Sequence, residues 1–127
     1  MRAMALTGFD TEPTVMEVPA APDPAAGEVL VRVRAASVNA YDVVVASGMM
    51  RDYLPYAFPV VIGQDVAGVV ERIGTDVDGF RVGDRVFGTL GMKGAVHDGT
   101  FAELSTPQAS ALATTPEAIP WPTRPGR

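Results

Sequence analysis

The sequence predicts a mainly β domain, with a barrel or sandwich-like core and one or two short helices. Three observations carry this. Apolar residues alternate at period two in "EVLVRVRAAS", residues 28–37, as they do in a half-buried strand. Roughly six or seven runs of this kind follow one another, parted by clusters of Gly, Pro and Asp. No heptad and no internal repeat runs through the chain.

Taken in order, "MRAMALTGF" (1–9) alternates loosely and reads as a strand, and "VMEV" (15–18) as a short second one. "PAAPDPAAG" (19–27) carries Pro19, Pro22 and Pro24 and ends at Gly27, so it is a loop. The strand over 28–37 follows, with Val29, Val31, Val33 and Ala35 on one face and Glu28, Arg32 and Arg34 on the other. "NAYDVVVASG" (39–48) reads as a short helix. Ser37 or Asn39 caps it, Gly48 ends it, and Val43 to Val45 are poor helix formers inside it. "MMRDYLPYAFP" (49–59) is irregular, broken by Pro55 and Pro59.

"VVIGQDVAGVVERIG" (60–74) reads as a second long strand, with Gln64 and Asp65 set behind Gly63. Those two polar residues either bond a turn or face a ligand. "GTDVDGFRVGD" (74–84) is turn chemistry, since Gly permits positive φ and Asp bonds nearby amides. "DRVFGTL" (84–90) is a strand, and "GMKGAVHDG" (91–99) a glycine-rich loop. "TFAELS" (100–105) and "SALAT" (110–114) are two more short strands. Residues 116–127 hold Pro116, Pro120, Pro122 and Pro125, a spacing that no helix or strand survives. The expected organisation is one domain over 1–115 and a Pro-rich tail over 116–127, disordered or truncated.

Composition narrows the function. The chain has 127 residues, enough for one domain with a real core, and 47% of them are hydrophobic. Net charge is −5 and the basic residues are scattered, which argues against nucleic-acid or anionic-membrane partners. There is no cysteine, so disulfides and thiolate metal sites are excluded. No apolar run approaches the ~20 residues that cross a bilayer, and a cytoplasmic protein is the expectation.

Several chemistries lack their motif. No G-x-G-x-x-G opens a helix after a strand, and no Walker motif is present. "GTLGMKG" has the wrong glycine spacing. His97, the sole histidine, stands beside Asp98 in a loop, and such neighbours point apart rather than toward one metal. No G-x-S-x-G marks a nucleophile.

What remains is a spaced set of segments: "AASVNAYDVVVASG", then "GQDVAGVVERIG", then "GFRVGDRVFG". In order and spacing, Gly63, Asp65, Gly68, Val70, Gly74, Phe80, Gly83, Asp84 and Val86 resemble the N-terminal catalytic domain of the medium-chain dehydrogenase/reductase superfamily. This is the GroES-like domain of alcohol dehydrogenases and quinone oxidoreductases, a partly open β-barrel. The resemblance runs from residue 1 to about Pro116.

The resemblance implies more. Zinc enzymes of the superfamily keep a cysteine ligand where Asn39 stands and a histidine where Gln64 stands, with an acidic residue at Asp65. Carboxamides are poor zinc ligands beside thiolate and imidazole. The chain is therefore similar to the zinc-independent, quinone-oxidoreductase-like branch: NADPH as cofactor, no zinc, and a quinone or α,β-unsaturated carbonyl as substrate. Asn39, Gln64 and Tyr53 are the implied catalytic residues, as donors to the developing oxyanion. Asn39 and Tyr41 are the residues implied to lie near the nicotinamide. Asp42 is expected to fix the helix rather than react. Met49 and Met50 are expected to line a substrate opening or fill gaps.

Members of this superfamily bind the cofactor between this domain and a Rossmann domain, which the 127 residues do not contain. An inactive isolated domain, unpaired strand edges, and a homodimer or a Rossmann-containing partner are therefore expected. The competing reading is a non-catalytic binding or assembly module, or one half of a split enzyme.

Overall fold

A computed structural model describes residues 1–91 and 96–121, with Val96 and His97 described by their backbone. The strands are β1 (Arg2–Leu6), β2 (Thr14–Glu17), β3 (Val29–Ala35), β4 (Tyr56–Val61), β5 (Asp65–Ile73), β6 (Arg85–Thr89), β7 (Val96–Asp98), β8 (Leu104–Ser105) and β9 (Leu112–Thr114). One helix, α1 (Ala40–Ala46), lies between β3 and β4, and a 3-10 turn (Ala109–Ala111) precedes β9. The mainly β expectation holds.

The strands form two sheets, β2-β1-β4-β7 and β8-β3-β5-β6-β9. All pairs are antiparallel except β4 with β7. The sheets do not close into one barrel. Residues 100–105 run between them: on one side Met4 N–H donates to the Phe101 carbonyl at 2.8 Å, and on the other Val33 N–H donates to the Glu103 carbonyl at 2.9 Å.

The main core lies under the five-stranded sheet. Val29 and Val31 of β3, Val66 and Val70 of β5 and Val86 of β6 pack together there, following the period-two pattern. Gly68 sits opposite Val33 in the β3–β5 ladder. A Cβ there would lie 2.2 Å from the Arg32 carbonyl oxygen, so only glycine allows this approach. A second cluster, Leu6, Val45, Val60 and Ile62, seats α1 on the other sheet.

Three local expectations are corrected. Residues 60–74 are not one strand. Gly63, at φ +109°, turns the chain between β4 and β5, because three residues cannot continue a ladder through a left-handed corner. Residues 56–59 are not irregular but belong to β4; Pro59, which has no N–H to donate, stands where the β4–β7 register is interrupted. His97 lies on β7, paired in parallel with β4, not in a loop.

The helix forms despite three consecutive valines. Val45 is buried at 3% exposure and anchors it, whereas Val43 is 63% exposed. The Tyr56 hydroxyl donates to the Val45 carbonyl at 2.8 Å, and Gly48, at φ +82°, stops the chain from continuing. Beyond β9, Ile119 N–H donates to the Pro116 carbonyl at 3.1 Å, and the Arg85 guanidinium stands 4.1 Å from the Trp121 ring centre.

Candidate functional site

The end of β3 and the start of α1 meet the start of β5. Asn39 is the residue that caps the helix, with extended backbone angles. Its N–H donates to Asp42 Oδ2 at 2.8 Å, and its carbonyl accepts from Asp42 N–H at 3.0 Å. Asp42 thus holds the Asn39 backbone from inside the first turn, one arm of a capping box. This is the fixing role expected of it.

The Asn39 side chain is held separately. Its Nδ2 donates to Asp65 Oδ2 at 2.7 Å, and Ser37 Oγ donates to the same oxygen at 2.7 Å. A long 3.5 Å contact joins Asn39 Nδ2 to Ser37 Oγ. Asp65 therefore does not bond a local turn. It ties together residues 26 and 28 positions earlier in the chain. A carboxamide has two N–H donors and one acceptor oxygen. One N–H is committed to Asp65, and the other makes only the long contact.

Gly63 makes this junction possible. A Cβ on it would lie 2.5 Å from Thr100 Oγ1 and 2.6 Å from the Phe101 ring. The corner delivers Gln64 and Asp65 to the mouth of β5. The Gln64 carbonyl accepts from Leu90 N–H at 2.7 Å, which fixes the backbone, and the Gln64 residue is half-buried. Beside Asp65, a shallow hollow of about 460 Å³ is walled by Ala36, Val66 and Phe87.

The other expected residues stand apart. Tyr41 lies in the first turn of α1, 40% exposed. Tyr53 lies on the turn beyond α1, 78% exposed, its N–H donating to the Met50 carbonyl at 3.0 Å. No hydrogen bond among the described residues joins either to the Asn39–Asp65 junction. Met49 is 68% exposed, while Met50 packs against the Leu6–Val45 cluster and fills a gap there. Residues 92–95 of the glycine-rich loop lie outside the described residues.

Sequence reasoning passed over Ser37 as a donor and Tyr56 altogether. Ser37 carried a signal in the Ser-x-Asn spacing ahead of the helix. Tyr56 carried none, since its partner is a backbone carbonyl. Burial raises the Tyr56 hydroxyl above its ordinary pKa.

Among the described residues, no three His, Cys, Asp or Glu side chains are grouped to hold a metal ion. The donor set at the junction fits zinc poorly on its own chemistry: Asn39 turns its N–H, not its oxygen, toward Asp65.

Comparisons with known proteins identify the family and the fold. Residues 25–117 match the alcohol dehydrogenase GroES-like domain. A zinc-type alcohol dehydrogenase-like protein of Schizosaccharomyces pombe is 37% identical over 130 aligned positions, covering 90% of this chain and 36% of that protein. A chloroplastic quinone oxidoreductase of Triphysaria versicolor is 47% identical over 79 positions, covering 62% of this chain and 24% of that one. A mycobacterial structure complexed with NADPH superposes with a TM-score of 0.75 at 32% identity, covering 95% of this chain and 35% of the other. The chain thus spans between 24% and 36% of the length of these relatives.

Proposed function

The chain belongs to the alcohol dehydrogenase GroES-like domain family, and on that premise we propose that it is the substrate-side domain of an NADPH-dependent oxidoreductase. Its substrate class is a quinone or an α,β-unsaturated carbonyl. The observation that carries this reading is the Asn39 carboxamide, locked by Asp42 through its backbone and by Asp65 through its side chain. It occupies the position at which, by the family resemblance, zinc enzymes keep a thiolate.

The bound cofactor supplies the hydride. This chain's residues orient and stabilise. Hydride addition to the conjugated carbon leaves negative charge on the carbonyl oxygen, which takes its proton from water. The second N–H of Asn39 and the amide of Gln64 donate to that oxygen, in the way preorganised donors lower such barriers. Asp65 is a positioning residue: it holds Asn39 and contacts nothing that reacts. Asn39 and Tyr41 fit a nicotinamide, because a primary carboxamide is self-complementary in donors and acceptors. Tyr53 serves as a substrate-side donor on the turn beyond α1. The apolar hollow beside Asp65 suits the flat face of a ring.

The reacting atoms must be held about 3–3.5 Å apart in a water-poor site. These residues carry no nucleotide-phosphate cradle, so they form one wall of that site. The second wall comes from a Rossmann unit, along a longer chain or on a partner.

The test is NADPH oxidation with a panel of quinones and 2-alkenals. The 127-residue chain is assayed alone and mixed with a nicotinamide-binding Rossmann domain of a relative. Turnover is expected only in the mixture, with Asn39→Ala lowering kcat by about tenfold to a hundredfold. Turnover by the chain alone would overturn the two-wall reading. No turnover in the mixture, with no quinone binding to the chain, would overturn the function.

A further inference from the structure

We propose that Asp78–Gly79, in the turn between β5 and β6, is a site of self-modification to isoaspartate, and that the fold opens this pair to the reaction while it protects Asp98–Gly99. The chemistry needs only water. The Gly79 nitrogen bonds to Asp78 Cγ. One C–O bond of the carboxyl breaks, and that oxygen leaves as water, carrying its own proton and the amide proton. The product is a five-membered cyclic imide. Water then opens the ring. Addition at the former backbone carbonyl leaves the main chain running through Cγ and frees the α-carboxylate. The two steps together leave the mass unchanged and transfer no electrons.

The sequence holds two Asp-Gly pairs, and the fold treats them oppositely. Asp78 and Gly79 are both exposed, and nothing lies within 4 Å of where a Gly79 Cβ would stand. Among the described residues, neither the Asp78 carboxyl nor the Gly79 N–H has a hydrogen-bond partner. The attacking nitrogen is therefore uncommitted, and glycine puts no side chain in the path of the carboxyl. Val77 and Phe80, on either side, pack against the main core, so the pair between them stands out as a tip. Gly99 is the reverse case. It is buried, and its N–H donates to the Val61 carbonyl at 2.8 Å. A Cβ there would lie 2.4 Å from the carbonyl oxygens of Val61 and Ile62. Asp98 is itself in register with Val61. Ring closure at Asp98 has to wait until β7 comes away from β4, so its rate is cut by the small fraction of time that this strand is open.

The experiment incubates the 127-residue chain at neutral pH and physiological temperature, folded in buffer or unfolded in guanidinium chloride, and then digests it with trypsin. Cleavage after Arg72 and Arg81 releases residues 73–81, which carry Asp78, and Asp98 falls on a different peptide. Isoaspartate is read as a second chromatographic peak of equal mass, preceded by a species lighter by one water, and is located by electron-transfer fragmentation. In the folded chain, isomerisation at Asp78 is expected to run at least about tenfold faster than at Asp98. In the unfolded chain the two rates are expected to converge to within about threefold. Asp78→Glu, which would need a six-membered ring, is expected to stay in its original linkage. No isomer at Asp78 in the folded chain, equal rates at the two pairs there, or a tenfold preference that persists in guanidinium chloride would each overturn the proposal. None of these readouts involves quinone or NADPH, so the oxidoreductase reading stands or falls separately.

Discussion

Asn39 Nδ2 donates to Asp65 Oδ2 at 2.7 Å, joining the N-terminus of α1 to the first residue of β5. The contact spans two elements that share no core cluster, so it sets the position of the helix against the five-stranded sheet. Asp65 is half-buried and the bond is charge-assisted, so solvent screening trims its strength. A double-mutant cycle of Asn39→Ala and Asp65→Ala should give a coupling of about 1 kcal/mol in urea unfolding. Coupling indistinguishable from zero would mean the carboxylate does not hold the amide in solution.

Gly63 should tolerate no side chain. Its φ is +109° and a Cβ would enter Thr100 and Phe101 at under 3 Å. Gly63→Ala should lose about 3 kcal/mol, from backbone strain and overpacking together. Gly79, at φ +86° with open space around it, provides the control: Gly79→Ala should lose only about 1 kcal/mol. Equal losses would show that the corner between β4 and β5 is not tight.

Tyr56→Phe removes a hydroxyl that donates to the Val45 carbonyl, which Gly48 N–H also reaches at 3.1 Å, and should cost about 1 kcal/mol at neutral pH. The same variant changes the alkaline limb. Burial raises the folded-state pKa of Tyr56 above its unfolded value. The folded state therefore binds more protons over that window, and stability falls as pH rises beyond about 10. The stability difference between wild type and Tyr56→Phe should be constant below that pH and shrink above it. A constant difference across the alkaline range would contradict the burial of the hydroxyl.

Trp121 is the only tryptophan, so its fluorescence reports one ring, which the Arg34 guanidinium also approaches, at 5.8 Å from the ring centre. The Arg85 guanidinium lies 4.1 Å from its ring centre, and Arg85 Nη1 reaches the Glu117 carbonyl at 3.5 Å. Arg85→Ala should shift the emission to the red and speed proteolysis after residue 115, while costing about 0.5–1 kcal/mol. Unchanged emission would place Trp121 off the arginine.

The sequence by itself determined the β class, a strand within 28–37, a short helix capped by Ser37 or Asn39 and stopped by Gly48, and the family. Each is written in short-range chemistry: alternation, a cap residue, a glycine at a left-handed position, and glycines at fixed spacing. Through the family's motif it also implied that Asn39 and Gln64 share one site with Asp65 beside them; the structure joins Asn39 to Asp65. The split at Gly63 was hidden, since the apolar run 60–74 keeps its composition while the chain turns, and only the crowding by Thr100 and Phe101 reveals why glycine stands there. Tertiary structure alone decided which partner each polar group takes. Asp65 reaches back 26 and 28 residues to Asn39 and Ser37, Tyr56 bonds a carbonyl on α1, and one oxygen of Asp42 is left buried without a hydrogen-bond partner. The physical reason is range: periodicity and capping act over a few residues, whereas a hydrogen bond across the fold exists only once two sheets and a helix have been packed against each other.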